Sequence, residues 1–280
     1  MTSPRRSRLA LGLVLGLAAA SVPAAAAPPP VVVQGAMPIE TDALAQRLEH
    51  VRVEQVGGWT FWRGTLGGYP VVVSKTRKGV ASAAAATALA VERFHPIAIL
   101  NQGTAGGHDP SLHVYDIVLG TSAVSLGAFK SPARPAGAGS NPLEWTPLAL
   151  TVSEGSAGND PRARTVARFA ADEALLVAAR SAAAGYKKGR VAEGVIGSSD
   201  TWNSELDLIA SYRLRFGTSV EEMETAPAAQ IAGIMKVPFL GIRVVSNNIT
   251  NGDAYDPRTA EACQEFVYEV VKAYLRTARR

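Results

Sequence analysis

Short hydrophobic runs alternate with helix-spaced segments from Val31 to Arg276, and this alternation limits the chain more than any other feature. After the Pro28-Pro29-Pro30 break, Val31 to Val33 reads as a buried strand, and Ile39 to Leu48 has helical spacing with Glu40 and Asp42 in its first turn. Three strand-like runs follow, Val51 to Val56, Thr60 to Leu66 and Tyr69 to Ser74, with Gly67-Gly68 as a hairpin turn between the last two. Val80 to Phe94 is an Ala-rich helix closed by Pro96, and Ile97 to Leu100 is a strand ending at Asn101-Gln102-Gly103. Further strands are expected over Ile117 to Val124, Arg190 to Gly197 and Val237 to Val245. Further helices are expected over Arg162 to Ala184, Ser204 to Phe216, Thr225 to Met235 and Pro257 to Arg276. Strands regularly interleaved with helices bury a sheet beneath helices on both faces. The expected fold is therefore α/β, a single three-layer domain whose central sheet the early hairpin makes mixed. Ser131 to Asn159 shifts to Pro, Gly, Ser and Ala, a long loop of the kind that forms lids or faces partners.

The first residues stand apart from this pattern. A basic stretch (MTSPRRSR) precedes an apolar run from Leu9 to Ala20 and a small-residue stretch from Ser21 to Ala27. That order of blocks predicts a signal peptide over residues 1–26, with the domain occupying 27–280, and a periplasmic or secreted mature protein. The apolar run is too short to span a bilayer, so no membrane segment is expected in the mature form. Arg5-Arg6 fits a twin-arginine signal poorly. A single cysteine, Cys263, leaves no internal disulfide, so core packing must supply stability; 47% hydrophobic residues suffice for one sizeable core. The net charge of +4 is concentrated at the two ends, with no basic cluster interleaved with aromatics, which argues against nucleic acid. The histidines lack zinc-ligand spacing, and there is no Walker A loop or GxSxG elbow. Neither a metal nor a cofactor is expected.

Ligands of open α/β sheets gather at the carboxyl ends of strands. Five such ends carry unusual residues: Gly35 to Glu40, Gly103 to Gly107, Ser198 to Asn203, Glu221 to Gln230 (EEMETAPAAQ) and Arg243 to Asn248. Taken singly, each has an ordinary explanation. The glycines of Gly103 to Gly107 supply positive φ in a turn. Glu40 and the EEMETA glutamates serve helix dipoles, Trp202 packs in a core, and Arg243 forms a structural ion pair.

Taken together and in order, the five resemble the nucleoside phosphorylase/nucleosidase superfamily, most closely its 5'-methylthioadenosine/S-adenosylhomocysteine nucleosidases. The family's GAMxxE matches Gly35 to Glu40, its NxGxAGG matches Asn101 to Gly107, and its SGDxF matches Ser198 to Trp202. Its VEMExxAxA matches Glu222 to Ala229, and its VPFxxxRxxSD matches Val237 to Asn247. The resemblance implies a nucleoside phosphorylase-like fold and cleavage of the N-glycosidic bond of a purine nucleoside through a ribosyl oxocarbenium ion. It implies Glu40 as the general base for water, with Thr104 and Arg243 placing that water, and Glu224 as the anion that binds the ribose hydroxyls and stabilises the cation. Met37 and Met223 would pack on the ribose and its 5' substituent. Trp202 would stack on the purine, the backbone of Asn203 would read its edge, and Ala105, Gly106 and Ser246 would complete the substrate contacts. Glu221 and Glu222 would remain solvated or dipole-linked. The resemblance also implies a homodimer, with the loop around Ser131 to Asn159 a candidate to close the partner's pocket.

Two departures from the family pattern leave alternatives open. Asn247 replaces the family's purine-protonating aspartate, and an amide donates hydrogen bonds but is not a general acid. Asp253 is the nearest downstream carboxylate; alternatively, Asn247 suits a 6-oxopurine. Lys75-Thr76-Arg77-Lys78-Gly79 replaces a glycine-rich turn, so its cations are either a solvated face or an anion site for phosphate or a charged substituent. Asn101 stands where phosphorylases carry a phosphate-binding arginine, and a retained Glu40 has no task when phosphate attacks. These features favour hydrolysis, with phosphorolysis of a purine nucleoside and catalysis-free nucleoside binding as the competing readings.

Overall fold

The computed structural model describes residues 27–155 and 159–278. The expected signal peptide, residues 1–26, lies outside the described residues. Ten strands form one mixed sheet: β1 (Val31–Gly35), β2 (Glu49–Val56), β3 (Trp59–Leu66), β4 (Tyr69–Lys75), β5 (Ala98–Gly107), β6 (Ile117–Ser125), β7 (Phe169–Ala170), β8 (Val191–Ser198), β9 (Thr218–Glu222) and β10 (Phe239–Asn247). Among the described residues six α-helices flank it: α1 (Pro38–Ala45), α2 (Val80–Phe94), α3 (Glu173–Ala183), α4 (Leu206–Phe216), α5 (Thr225–Ile234) and α6 (Thr259–Ala278).

Strand order runs β7-β6-β8-β9-β5-β1-β4-β3-β2, with β10 paired to both β5 and β6. The strands β6, β8, β9, β5 and β10 therefore close into a ring. The open wing beyond β5 is parallel through β1 and β4 and then antiparallel through β3 and β2. Gly67 and Gly68 both hold positive φ, 55° and 76°, as a tight hairpin with two left-handed central residues requires.

The period-2 alternation of β1 shows why this sheet needs helices on both faces. Val31 and Val33 pack into a cluster with Leu44 of α1, Leu175 of α3 and Phe266 and Val270 of α6. Val32 points the other way, to Ala90 of α2 and Ala228 and Ala232 of α5. Both faces are covered, which is the three-layer arrangement expected from the sequence.

Two local expectations are corrected. The helix expected from Arg162 begins only at Glu173. Asp172 caps it, its side chain accepting from Leu175 N at 3.0 Å, while Thr165–Val166 and Phe169–Ala170 are held in antiparallel ladders with Leu150–Thr151 and with β6. The strand expected to end at Leu100 runs on to Gly107, so Gly103, Gly106 and Gly107 are extended residues without positive φ. Their smallness serves close approach: a Cβ at Gly103 would sit 2.7 Å from Glu40 Oε1, and one at Gly107 would sit 2.5 Å from the Asn248 side chain. The strand end expected before the glutamates is present: Thr218–Glu222 is a full sheet strand that puts the three glutamates at its end and just beyond it.

Candidate active site

One cavity gathers the carboxyl ends of β1, β5, β8, β9 and β10. Of the residues singled out in the sequence, Met37, Glu40, Thr104, Ala105, Gly106, Trp202, Asn203, Met223, Glu224, Ser246 and Asn247 line it, joined by Lys78, His108 and Glu221.

Glu40 owes its position to the start of α1. Met37 is the N-cap, Pro38 fills the first helical turn where a missing N–H is harmless, and Glu40 folds back on the turn. Its Oε2 accepts from Ala36 N (2.9 Å) and Met37 N (3.2 Å), and its Oε1 accepts from Thr104 N (2.9 Å) and Thr104 Oγ1 (3.0 Å). Four donors fix a carboxylate that is 3% exposed. The side chain is thus aimed before any ligand arrives.

Glu224 begins α5 and reaches across to α2, its Oε1 accepting from Gly79 N at 2.9 Å. Burial pushes its carboxyl up to about 8, the negative charges of Glu222 and Glu40 add to the rise, and Arg243 opposes it.

Glu221 and Glu222, expected to be solvated or dipole-linked, are both buried. Glu222 pairs with Arg243, its Oε2 lying 3.0 Å from Nε, and it also accepts from Glu224 N (2.9 Å), Thr225 N and Ser198 Oγ. Arg243 also donates from Nη1 to Asn101 O (2.9 Å) and Ile242 O (2.8 Å), and from Nη2 to Asn101 Oδ1. Burial disfavours its charge, but Glu222, Glu224 and Glu40 outweigh that and hold its pKa above the ordinary value. Arg243 is 1% exposed and does not line the cavity. It stands behind the cavity wall, where its bond to Glu222 ties the β9–α5 junction together.

The side chain of Glu221 turns into the cavity and meets His108, Ser199 and Asn203. Sequence reasoning missed His108, which lies one residue past the family-like glycines. Trp202 stands at the mouth, 68% exposed and edge-on to Tyr255 with ring centroids 6.0 Å apart. Asp253, weighed as a substitute acid, lies outside the cavity, where it binds His113 Nδ1 (3.0 Å) and Val114 N (3.1 Å). Lys75 sits over the Trp62 ring, and of the three cations in the replaced turn only Lys78 lines the cavity.

A mixed sheet partly closed into a ring, with four buried glutamates (Glu40, Glu221, Glu222 and Glu224) lining one cavity at its strand ends, defines a class of α/β proteins that bind small molecules at strand ends. The model of the phosphorylase superfamily matches residues 30–279, and the chain belongs to that family. A 5'-methylthioadenosine/S-adenosylhomocysteine nucleosidase of Anoxybacillus flavithermus is 32% identical over 218 residues, covering 78% of this chain and 84% of the relative. Among solved structures, the Neisseria meningitidis enzyme of the same name, in complex with methylthio-immucillin-A, aligns with a TM-score of 0.68 at 28% identity. That alignment covers 86% of this chain and 98% of the other. The enzyme of Colwellia psychrerythraea in complex with adenine aligns with a TM-score of 0.68 at 26% identity, covering 88% and 95%.

Proposed function

We propose that this chain is a purine nucleosidase, an N-glycosyl hydrolase that uses water to cleave purine ribosides of the methylthioadenosine/adenosylhomocysteine type into free base and ribose derivative. The observation that carries the reading is the convergence of Glu40, Thr104 and Glu224 on one cavity. A cationic ribosyl transition state needs a positioned nucleophile and fixed negative charge beside the sugar. Glu40 takes a proton from the attacking water, and Thr104 holds Glu40 in place. Glu224, once ionised, accepts from the ribose hydroxyls and faces the developing cation. Met37 and Met223 pack against the sugar and its 5' substituent, and Trp202 covers the base. Asn247 donates to the departing purine and transfers no proton.

Water is favoured over phosphate as nucleophile by the surroundings of Asn101. Its side chain is tied to Arg243 and to Gln34 (3.2 Å) behind the cavity wall, and Lys78 is the lone cation of the replaced turn in the lining. The same reading takes the mature protein as exported and homodimeric. The ordered basic, apolar and small-residue blocks support export, and the family resemblance supports the dimer.

The test is base release by residues 27–280 from methylthioadenosine and adenosylhomocysteine, with and without phosphate. Release in phosphate-free buffer that disappears in Glu40→Gln is the expected result. Release that requires phosphate establishes a phosphorylase, and binding without release establishes a nucleoside-binding protein.

A further inference from the structure

The first turns of α1 carry two side-chain bonds that helix formation does not need. In an uninterrupted helix the N–H of one residue bonds the carbonyl four positions earlier, so Leu44 N and Glu40 O are natural partners. Here each is held by a glutamine from another element. Gln102 of β5 donates from Nε2 to Glu40 O, and Gln264 of α6 accepts from Leu44 N at 2.9 Å. Gln264 also donates from Nε2 to Ile39 O at 2.7 Å and to Ala260 O of its own helix at 3.3 Å. Its one amide therefore clasps α1 at positions 39 and 44, on either side of Glu40. Both glutamines are 2% exposed.

The backbone leaves room for this contact. A Cβ at Gly35 would lie 2.9 Å from Gln102 Nε2 and 2.9 Å from Glu40 O, so Gly35 has to be bare for the two to meet. Gln102 cannot turn its amide over, because its oxygen would then face another acceptor. Its Oε1 has no protein partner among the described residues, so the bond to Glu40 O is what its amide contributes.

What the glutamines supply is position. Glu40 Oε1 is bound by Thr104 N and Oγ1, two residues beyond Gln102 on the same strand. β5 thus holds Glu40 at its carbonyl and at its carboxylate, while α6 fixes the turn that follows. The place of that carboxylate in the cavity is set through its main chain as well as through its own four bonds.

We infer that Gln102 and Gln264 are positioning residues for the reaction: by holding Glu40 O and Leu44 N they set the main chain of Glu40 against β5, and so fix where its carboxylate meets the attacking water. This rests on the proposed role of Glu40 as the base.

The experiment separates position from stability in residues 27–280. Methionine, unbranched and of similar length, removes each amide. Gln102→Met strands Glu40 O, Gln264→Met strands Leu44 N, and each should lower the melting temperature by several degrees, because an unpaired buried group is unfavourable. In the double variant Gln102→Met/Gln264→Met the two stranded groups are left to bond each other as in an ordinary helix, so much of the melting temperature should return. Turnover should not return. In phosphate-free buffer, kcat for base release from methylthioadenosine should stay about 10–100-fold below wild type, the cost of moving a reacting group by about 1 Å, with KM within about twofold because Glu40 serves the water. A merely structural role predicts the contrary, activity that recovers with stability, and full kcat in the double variant overturns the inference. If the methionine variants do not fold, Gln102→Asn, which draws the donor back by one methylene, should lower kcat at unchanged KM; an unchanged kcat overturns the inference equally. Wild-type protein that releases no base, or releases it only with phosphate, overturns the nucleosidase reading and this inference with it, an outcome visible before any variant is made.

Discussion

The buried carboxyl of Glu224, raised to about 8, couples catalysis and stability to pH in opposite senses. In the proposed function its anion is the form that steadies a ribosyl cation, so kcat/KM for the free enzyme should climb with pH up to about 8, and Glu224→Gln should remove that limb together with most of the turnover. For stability, the folded state holds a proton that the unfolded state has released above about pH 4.5. The stability contributed by the protonated form is complete below that pH, declines as pH rises through about 8, and is flat beyond. Melting temperatures of wild type and Glu224→Gln between pH 5 and 9 should therefore diverge upward in pH, with the variant the flatter of the two. Glu40→Gln should lower kcat by about 10²–10⁴, the usual worth of general acid–base catalysis, and should leave KM little changed in steady-state assays. These two glutamates were legible in the sequence because each sits inside a motif. Glu221 and Glu222 were not, because a run of acidic residues looks solvated until its partners are known. Those partners, Arg243 and His108, lie 21 and 113 positions away.

Among the elements, β5 and the β9–α5 junction hold the site together. Gly103 is extended and could accommodate a side chain on backbone grounds, but a Cβ there would meet Glu40 Oε1 at 2.7 Å. Gly103→Ala should thus displace Glu40, and circular dichroism and activity together should report a folded protein with impaired turnover. Arg243→Ala should be more damaging to the fold. It leaves Glu222 buried beside Glu224 without its cation, a change worth about 3–5 kcal/mol in denaturant titrations. The paired-glycine hairpin, the Ala-rich α2 and the closing α6 could be read from spacing and turn chemistry alone. The true start of α3 could not, because residues 165–170 carry apolar side chains compatible with a helix. Their pairing with β6 and with Leu150–Thr151 is a long-range choice. The glycines of Gly103 to Gly107 were read as a turn for a similar reason: crowding by Glu40 and Asn248 is visible only in three dimensions.

For the whole molecule, the alternation of strands and helices disclosed a three-layer domain, while the closure of five strands into a ring stayed hidden, since it depends on β10 bridging β5 and β6. Light scattering on residues 27–280 should give twice the monomer mass if the homodimer proposal holds, and N-terminal sequencing of the mature protein should begin near Ala27 if the export proposal holds. The ring has one further consequence. Because β5 belongs to both the open wing and the ring, it is a common ruler on which Thr104, Gly106 and His108 are marked off along the pocket by residue count. A shift of register in either part of the sheet would move all three graduations at once.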